Sequence, residues 1–273
     1  MDNKFYQIHK RYPNFLTKAI TLSYDDGRSF DRKMIKILNE YGIKCTFNLF
    51  SGSIGRNQQF VSSDEIEELY AGHEVAAHSL THPHLQTLDI AGIVYQIMKD
   101  RENLENFVKR PVRGFAYPFS LCEKSGMIDA ISACGVKYAR TTVSNYSFDL
   151  QYDLLRFKPT CHQADSRLPE LAEKFFAPDD PKRVKLKLFY IWGHSYEYEN
   201  NWEKLDNMCK LIGNHNDVWY ATNIEIFDYL SAFDQIEHSA NGKYIHNPTA
   251  KDLYAVVDGK EIVIESGKSY IFD

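Results

Sequence analysis

The sequence contains few cysteines, and their spacing matches neither a disulfide framework nor a cysteine-based metal site. They are five in number, odd in count, and include no Cys-x-x-Cys pair. A disulfide-stabilised secreted domain and a zinc finger or ribbon are therefore not indicated. The five positions are Cys45, Cys122, Cys134, Cys161 and Cys209.

Long apolar runs are also missing. No segment approaches the roughly 18 consecutive apolar residues that a membrane-spanning helix needs. The first residues, Met1 to His9, are polar and lack the apolar region of a signal peptide. We therefore expect a cytoplasmic protein with no membrane partner.

Positive charge is in slight deficit, because 32 Lys and Arg stand against 37 Asp and Glu, a formal net charge of −5. Proteins that bind nucleic acid usually carry a basic excess, so a nucleic-acid partner is not expected. The 273 residues, 44% of them hydrophobic and 25% charged, suit one large α/β domain with room for a small appendage. No pattern indicates an oligomeric state.

Short apolar runs of β-forming residues alternate with helical periodicity between residues 18 and 233. The predicted strands are 18–24, 45–50, 74–78, 112–117, 136–140, 186–192 and 217–222. The predicted helices are 32–41, 62–70, 90–108, 125–134, 168–176, 202–213 and 224–233. Near-continuous apolar strands separated by helices indicate a parallel sheet. Seven such units favour a distorted TIM-like (β/α)7 barrel, in which chemistry occurs at the C-terminal ends of the strands.

The pattern changes after residue 233. Asn241-Gly242, Asp258-Gly259 and Ser266-Gly267 interrupt short alternating runs, and Asp258-Gly259 is typical of a hairpin turn. We therefore predict a barrel domain over residues 1–239 and a small antiparallel β appendage over residues 240–273. The appendage is expected to pack on the barrel, because so few strands cannot cover their own apolar face.

Two strand ends carry side chains that suit a metal. The first predicted strand ends in Tyr24-Asp25-Asp26-Gly27, where adjacent carboxylates point in different directions, so that one can ligate a metal while the other faces a substrate. The same residues are also compatible with a helix cap or a turn. The third strand ends in His78-Ser79-Leu80-Thr81-His82-Pro83, where two histidines four apart can share a metal or be structural. Pro83 indicates that this pair lies on a turn.

Two further strand ends complete the set. Trp192-Gly193-His194-Ser195 places a histidine where it can act as an acid or base, or form a structural hydrogen bond. Phe115-Ala116-Tyr117-Pro118-Phe119 forms a Tyr-Pro turn. Taken in chain order, the four segments resemble those of the polysaccharide deacetylases of the NodB type, carbohydrate esterase family 4. The resemblance covers residues 18–233. The resemblance implies a NodB-type barrel.

The resemblance also implies a role for each residue. It makes Asp26, His78 and His82 the ligands of a divalent metal, most often zinc, with cobalt or nickel as alternatives. Asp25 would be the catalytic base and His194 the general acid. A backbone N–H in the region of Tyr117 would stabilise the oxyanion, and Pro118 and Trp192 would lie at the substrate.

The sequence departs from the family at two places. Many members carry an arginine two residues before the proline of the third motif, where this chain has Ala116; Arg113 could replace it only through a bulge, and otherwise another cation must support Asp25. The family also places an acidic residue near the catalytic histidine. Asp149 is our choice, with Asp153 and Glu197 as alternatives.

The expected function is that of a metal-dependent hydrolase acting on carbon–nitrogen bonds in linear amides. It would remove N-acetyl groups from an acetylated amino sugar, oligosaccharide or polysaccharide, giving acetate and a free amine, although a small amide substrate also fits. One alternative is an amidohydrolase acting on a non-sugar C–N bond. Another, prompted by the missing arginine, is a carbohydrate-binding pseudoenzyme with weak catalysis.

Overall fold

A curled sheet of parallel strands forms the centre of the fold in the computed structural model, which describes residues 6–119, 124–179 and 184–272. The parallel strands are β2 (Lys18–Asp25), β3 (Cys45–Leu49), β4 (Glu74–Ala77), β5 (Gly114–Ala116), β6 (Tyr138–Arg140), β7 (Cys161–His162), β8 (Lys187–His194) and β9 (Val218–Tyr220). Their order is β6-β5-β4-β3-β2-β8-β7, and β9 pairs with the first residues of β2.

The two edges of this sheet approach each other. Phe157 forms a parallel bridge with Arg140 of β6, and four residues later Cys161 of β7 pairs with Ile191 of β8. The segment between them therefore connects both edges and closes a distorted TIM-like barrel, which confirms the predicted fold class. All eight residues of β2 are buried, as expected for a central parallel strand covered on both faces.

Seven α-helices accompany the strands in the described residues. They are α1 (Asp31–Glu40), α2 (Ile66–Leu69), α3 (Ile90–Val108), α4 (Met127–Ala133), α5 (Leu168–Phe176), α6 (Glu203–Ile212) and α7 (Asn223–Phe233). Helix α2 is shorter than predicted. The carboxylate of Glu65 accepts a hydrogen bond from the Ser62 N–H at 2.6 Å and binds Arg32, so residues 62–65 form a turn before the helix begins.

Short antiparallel strands at both chain ends form two further sheets. They are β1 (Ile8–Arg11), β10 (Glu237–His238), β11 (Tyr244–His246), β12 (Leu253–Val257), β13 (Lys260–Ile264) and β14 (Ser269–Ile271). The sheet orders are β1-β12-β13 and β10-β11-β14, so the hairpin at Asp258-Gly259 is present and an N-terminal strand joins it. The domain boundary at 239/240 stays a prediction. Strands β1 and β10 precede it in the chain but pair with β12 and β11, which follow it.

The sheet β1-β12-β13 packs on the barrel through α7. The Tyr229 hydroxyl donates to the Arg11 carbonyl at 2.8 Å and accepts from the Tyr254 N–H at 3.1 Å. Four cysteines, Cys45, Cys134, Cys161 and Cys209, are buried free thiols, whereas Cys122 lies outside the described residues. Among those described residues, none of the helices is long and apolar enough to cross a membrane.

Candidate active site

The C-terminal ends of β2, β3, β4, β6 and β8 bring the polar side chains to one rim of the barrel. Asp25, at the end of β2, stands in register with Asn48 of β3 on one side and His194 of β8 on the other. The chain then turns at Asp26 and Gly27, whose φ angles are 84° and 61°. A Cβ at Gly27 would lie 3.0 Å from Leu49, so glycine suits this turn both in conformation and in space.

Asp26, His78 and His82 converge at this rim. Asp26 Oδ1 lies 3.8 Å from His78 Nε2 and 3.6 Å from His82 Nε2. These separations exceed hydrogen-bond length, so the three donor atoms surround a gap rather than bind one another. Asp26 Oδ1 is buried and has no hydrogen-bond partner in the described part of the chain. A buried carboxylate oxygen without a donor is expected to meet a cation.

The His78 and His82 side chains are positioned by contacts on the sides away from Asp26. His78 Nδ1 lies 2.8 Å from the Ala116 carbonyl; it donates its proton there, and Nε2 is left as a lone pair that faces Asp26. The His78 N–H donates to the buried Asp100 carboxylate at 3.0 Å, which fixes the end of β4 to α3. The His82 ring lies 5.4 Å from that of Phe50, and burial together with the neighbouring His78 lowers the pKa of His82 to about 4.

Asp25 is buried in a different environment. Asn48 Nδ2 donates to its Oδ1 at 2.8 Å, and Arg140 Nη2 donates to its Oδ2. Burial by itself would raise the pKa of Asp25, but the charges of Arg140, His78 and His194 outweigh it and hold that pKa below its usual value.

Arg140 takes the place of the arginine that is missing from the third motif, because it is the cation that contacts Asp25. It is completely buried at the end of β6, and its guanidinium stacks 4.5 Å from the Trp192 ring centre. Arg113, considered from the sequence as a substitute, instead binds Asp228 on α7 through two contacts of 2.8 Å. Arg140 could have been identified from the sequence by its position at the end of the predicted strand 136–140. The C-terminal ends of all the parallel strands lie at the same rim of the barrel.

Glu197 is the acidic partner of His194. His194 Nδ1 lies 2.7 Å from Glu197 Oε1, while Gln163 Nε2 donates to Glu197 Oε2 at 2.9 Å. Burial would lower the pKa of His194, but Glu197 and the carboxylates of Asp25 and Asp26 raise it above its usual value.

His162, the last residue of β7, and Gln163, which follows it, hold Glu197 in place, and neither was identified from the sequence. A Cβ at Gly193 would lie 2.4 Å from the Gln163 side chain, so only glycine there lets that side chain cross β8. The Ala164 N–H donates to His162 Nδ1 at 3.1 Å, so the proton of neutral His162 is on Nε2, which lies 3.4 Å from Glu197 Oε1.

Asp149 is not at this rim, which corrects its assignment as the partner of His194. It forms an antiparallel bridge with Lys187, the first residue of β8, whereas His194 is the last. At about 3.3 Å per residue, the two positions are about 20 Å apart. Asp153, the other alternative, binds Arg156 at 2.8 Å. The segment 143–150 is directed towards the opposite end of the barrel.

In the Tyr-Pro turn, Phe119 and not Tyr117 or Pro118 contacts the site. The Tyr117 N–H donates to the Arg140 carbonyl at 3.0 Å and its hydroxyl donates to the Leu155 carbonyl, so this N–H does not face a substrate. Pro118 is buried. Phe119, half exposed, places its ring 4.5 Å from that of His82 and forms a wall of the site. Trp192 lies partly buried against Arg140 rather than open to solvent.

Two groups of residues in the described chain have donor atoms close enough to hold a metal: Asp26, His78 and His82, and His162, His194 and Glu197. In the second group the carboxylate already accepts hydrogen bonds, and His162 presents a proton rather than a lone pair. Only the first group combines an unpartnered carboxylate oxygen with an imidazole lone pair. One carboxylate and two imidazoles suit zinc and similar divalent ions.

The fold and the rim define an α/β barrel with carboxylates and imidazoles gathered at its C-terminal mouth. Residues 13–139 match the family described as polysaccharide deacetylase. This match covers a little under half of the chain and includes three of the four motif segments, so these residues are similar to polysaccharide deacetylases, as the motifs indicated.

Two curated relatives match part of the chain. The peptidoglycan-N-acetylglucosamine deacetylase PgdA of Listeria monocytogenes is 31% identical over 87 residues, which is 31% of this chain and 18% of PgdA. The uncharacterized protein YlxY of Bacillus subtilis is 28% identical over 111 residues, which is 41% of this chain and 34% of YlxY. The matched stretches thus span about a third or less of these relatives.

A solved structure has the same fold. The crystal structure of a candidate polysaccharide deacetylase from Mycobacterium smegmatis superimposes with a TM-score of 0.61, covering 85% of this chain and 96% of that one, at 16% identity. At this identity the likeness concerns the barrel architecture alone.

Proposed function

We propose that this protein is a metal-dependent N-deacetylase that acts on acetylated amino sugars within an oligosaccharide or polysaccharide. The observation that carries the proposal is the convergence of Asp26, His78 and His82 beside Asp25 and His194 at one rim. The match of residues 13–139 to the polysaccharide deacetylase family supports the carbohydrate substrate, and the name of PgdA supports an N-acetylated one.

Asp26, His78 and His82 would hold the divalent ion, for which zinc is our first choice and cobalt or nickel the alternatives. The chemistry supplied by such an ion is polarisation of the amide carbonyl and a lowered pKa for water. Two features suit such an ion: Asp26 Oδ1 has no hydrogen-bond donor within the described part of the chain, and His78 donates its Nδ1 proton to the Ala116 carbonyl.

Asp25 would act as the general base that takes a proton from the attacking water. Its Oδ1 and Oδ2 are positioned by Asn48 and Arg140, so the carboxylate has one fixed orientation. Arg140 also keeps Asp25 ionised despite burial, which a base requires.

His194 would donate a proton to the departing nitrogen, since an amine leaves poorly as an anion. Glu197 binds Nδ1, so Nε2 is the atom left to face the substrate. The raised pKa of His194 increases the protonated fraction near neutral pH.

The pseudoenzyme alternative was prompted by the arginine missing from the third motif. Arg140 makes the contact with Asp25 that this arginine would make, so the reason for the alternative no longer applies. The alternative of a non-sugar amide shares the same reacting groups. We prefer the sugar substrate because of the family alone.

Acetate release from chitooligosaccharides, with zinc, cobalt or nickel added, tests the proposal. Wild type is expected to release acetate, and His82→Ala to lose both bound metal and activity. Asp25→Asn is expected to retain metal by elemental analysis while its turnover falls by about 100-fold or more. Asp149→Asn, about 20 Å away, is the matched control and should be unaffected. Absence of acetate from every sugar, with metal bound, would contradict the proposal.

A further inference from the structure

Arg28 occupies a fixed position at the mouth of the site and is not used by the mechanism above. It follows Asp25-Asp26-Gly27, and its backbone pairs with that of Phe60 in an antiparallel bridge. On either side of the bridge, the Val61 N–H donates to the Gly27 carbonyl at 3.1 Å and the Ser29 N–H donates to the Gln59 carbonyl at 2.9 Å. The loop that carries Arg28 is therefore anchored.

The Arg28 guanidinium lies between two aromatic rings. Its Cζ is 4.7 Å from the Phe60 ring centre and 5.3 Å from that of Tyr196. The Tyr196 ring lies in turn 5.0 Å from the His194 ring. Arg28 is thus two residues from Asp26 in the chain and is linked to the proposed general acid through the Tyr196 ring. Stacking on ring faces holds a planar guanidinium while its N–H edges stay available for a planar anion.

Arg28 has no anionic partner in residues 6–119, 124–179 and 184–272. Its Nε is buried and meets no acceptor there. Two carboxylates near Arg28 or Tyr196 in the chain are already engaged: Asp31 accepts from Tyr70 and Ser195, and Glu197 accepts from His194. Asp26 Oδ1 is without a partner in those residues and therefore accepts no hydrogen bond from Arg28. A buried donor without an acceptor is costly, so an acceptor supplied by a bound molecule is expected.

We propose that Arg28 binds an anionic group, a carboxylate or a phosphate, on the acylated amino sugar and so makes the enzyme selective for anionic substrates. This inference rests on the proposed function. The anion is bound through the guanidinium edge, which offers the paired N–H geometry that both groups accept.

The test compares substrates that differ only in charge. One pair is N-acetylmuramic acid and its methyl ester; the other is N-acetylglucosamine 6-phosphate and N-acetylglucosamine. Acetate release and calorimetric binding are measured with the metal-loaded wild type, Arg28→Gln and Arg28→Lys. Lys33→Gln is the matched control, because Lys33 is an exposed cation 4.6 Å from the Trp202 ring, on the helix that follows the same loop.

For wild type we expect the KM of at least one anionic substrate to be about 10-fold or more below that of its neutral partner. Arg28→Gln should remove this preference by raising the anionic KM about 10- to 100-fold, with kcat and the neutral KM nearly unchanged. Arg28→Lys should retain part of the preference, and Lys33→Gln all of it. Preference within the muramic acid pair identifies a carboxylate, and preference within the phosphate pair a phosphate.

Two results would overturn the inference while leaving the proposed function standing. In one, wild type releases acetate equally well from charged and neutral partners. In the other, Arg28→Gln lowers turnover of all substrates alike, which means that Arg28 only balances the charge of Asp26. If no sugar is deacetylated, the proposed function fails, and the calorimetric comparison of the same pairs still decides whether Arg28 binds the anion.

Discussion

Asp25 and Asp26 are neighbours in the chain but lie in opposite electrostatic environments. Asp25 is buried, accepts hydrogen bonds from Asn48 and Arg140, and is held ionised by that arginine. Asp26 lies past the end of the strand with a positive φ, and its buried Oδ1 faces two imidazoles and has no hydrogen-bond donor among the residues that the structure describes. The change of backbone conformation between them separates a group suited to proton transfer from one suited to a cation.

At the residue scale, Glu197→Gln tests how His194 is tuned. The carboxylate 2.7 Å from Nδ1 helps to raise the pKa of His194, so its loss should lower that pKa. A general acid works only while protonated; the alkaline limb of the kcat profile should therefore move to lower pH, by about one pH unit. Acetate release measured across the pH range gives the limb directly.

Glu199→Gln is the control for this prediction. Glu199 is an exposed carboxylate two residues further along the same turn. The Glu199→Gln variant should have the alkaline limb of its kcat profile at the same pH as the wild type. If Glu197→Gln lowers the rate equally at every pH, the carboxylate acts on the orientation of His194 and not on its protonation.

The site residues that could be read from the sequence are those within local motifs. Asp25, Asp26, His78 and His82 stand out because each motif is contiguous and ends a strand. Arg140 did not, since its contact with Asp25 spans 115 residues and a fully buried arginine looks like a surface one in sequence. The choice of Asp149 was wrong because sequence order along segment 143–150 does not reveal that it descends to the start of β8.

At the scale of elements, α7 begins with a reciprocal cap formed by Thr222 and Glu225. The Thr222 hydroxyl accepts from the Glu225 N–H at 3.4 Å, and the Glu225 carboxylate accepts from the Thr222 N–H at 2.8 Å. This reciprocal pair satisfies two N–H groups that a helix end leaves unbonded. It also fixes the helix on which the β1-β12-β13 sheet packs through Tyr229.

Thr222→Ala should therefore lower the free energy of unfolding by about 1 kcal/mol. Thr222→Ser is the matched control: it also removes the methyl group but keeps the hydroxyl, and it should recover most of the loss. Urea unfolding followed by circular dichroism measures both. Equal losses in the two variants would assign the effect to the methyl group and not to the cap.

Elements with strong local patterns were predictable, and those defined by distant partners were not. Helices α3 and α5 have the predicted bounds because each combines apolar periodicity with a clear start and end. Strand β1 was missed since its partner β12 lies more than 240 residues further along the chain. Strand β7 has only two residues and no periodicity to detect, yet it ends in His162 and is followed by Gln163.

At the scale of the whole molecule, a buried polar group fastens the barrel at the end opposite to the site. The carboxylate of Glu74, on β4, accepts hydrogen bonds from Thr46 of β3, Tyr138 of β6 and the Ile224 N–H of α7, all within 2.9 Å. The group therefore joins three strands to the helix that supports the terminal sheet. Burial, opposed in part by these donors, raises the pKa of Glu74 to about 7.

This raised pKa makes stability depend on pH in a definite direction. The folded chain keeps the Glu74 proton up to about pH 7, whereas the unfolded chain releases it near the ordinary value of 4.5. The folded state binds more protons in that window, so the contribution of Glu74 to stability is lost as the pH rises from 4.5 to 7, by about 3 kcal/mol at most.

Glu74→Gln should abolish this loss. The amide keeps an acceptor for Thr46 and Ile224 and places its NH₂ towards the Tyr138 hydroxyl, which can accept. Urea unfolding at about pH 5 and about pH 8 should give equal stabilities for the variant and wild type at the lower pH and a more stable variant at the higher pH. Glu67→Gln, at an exposed carboxylate on α2, should reproduce the wild-type difference. If wild type and Glu74→Gln lose the same free energy between the two pH values, Glu74 is ionised in the folded barrel and its three donors outweigh its burial.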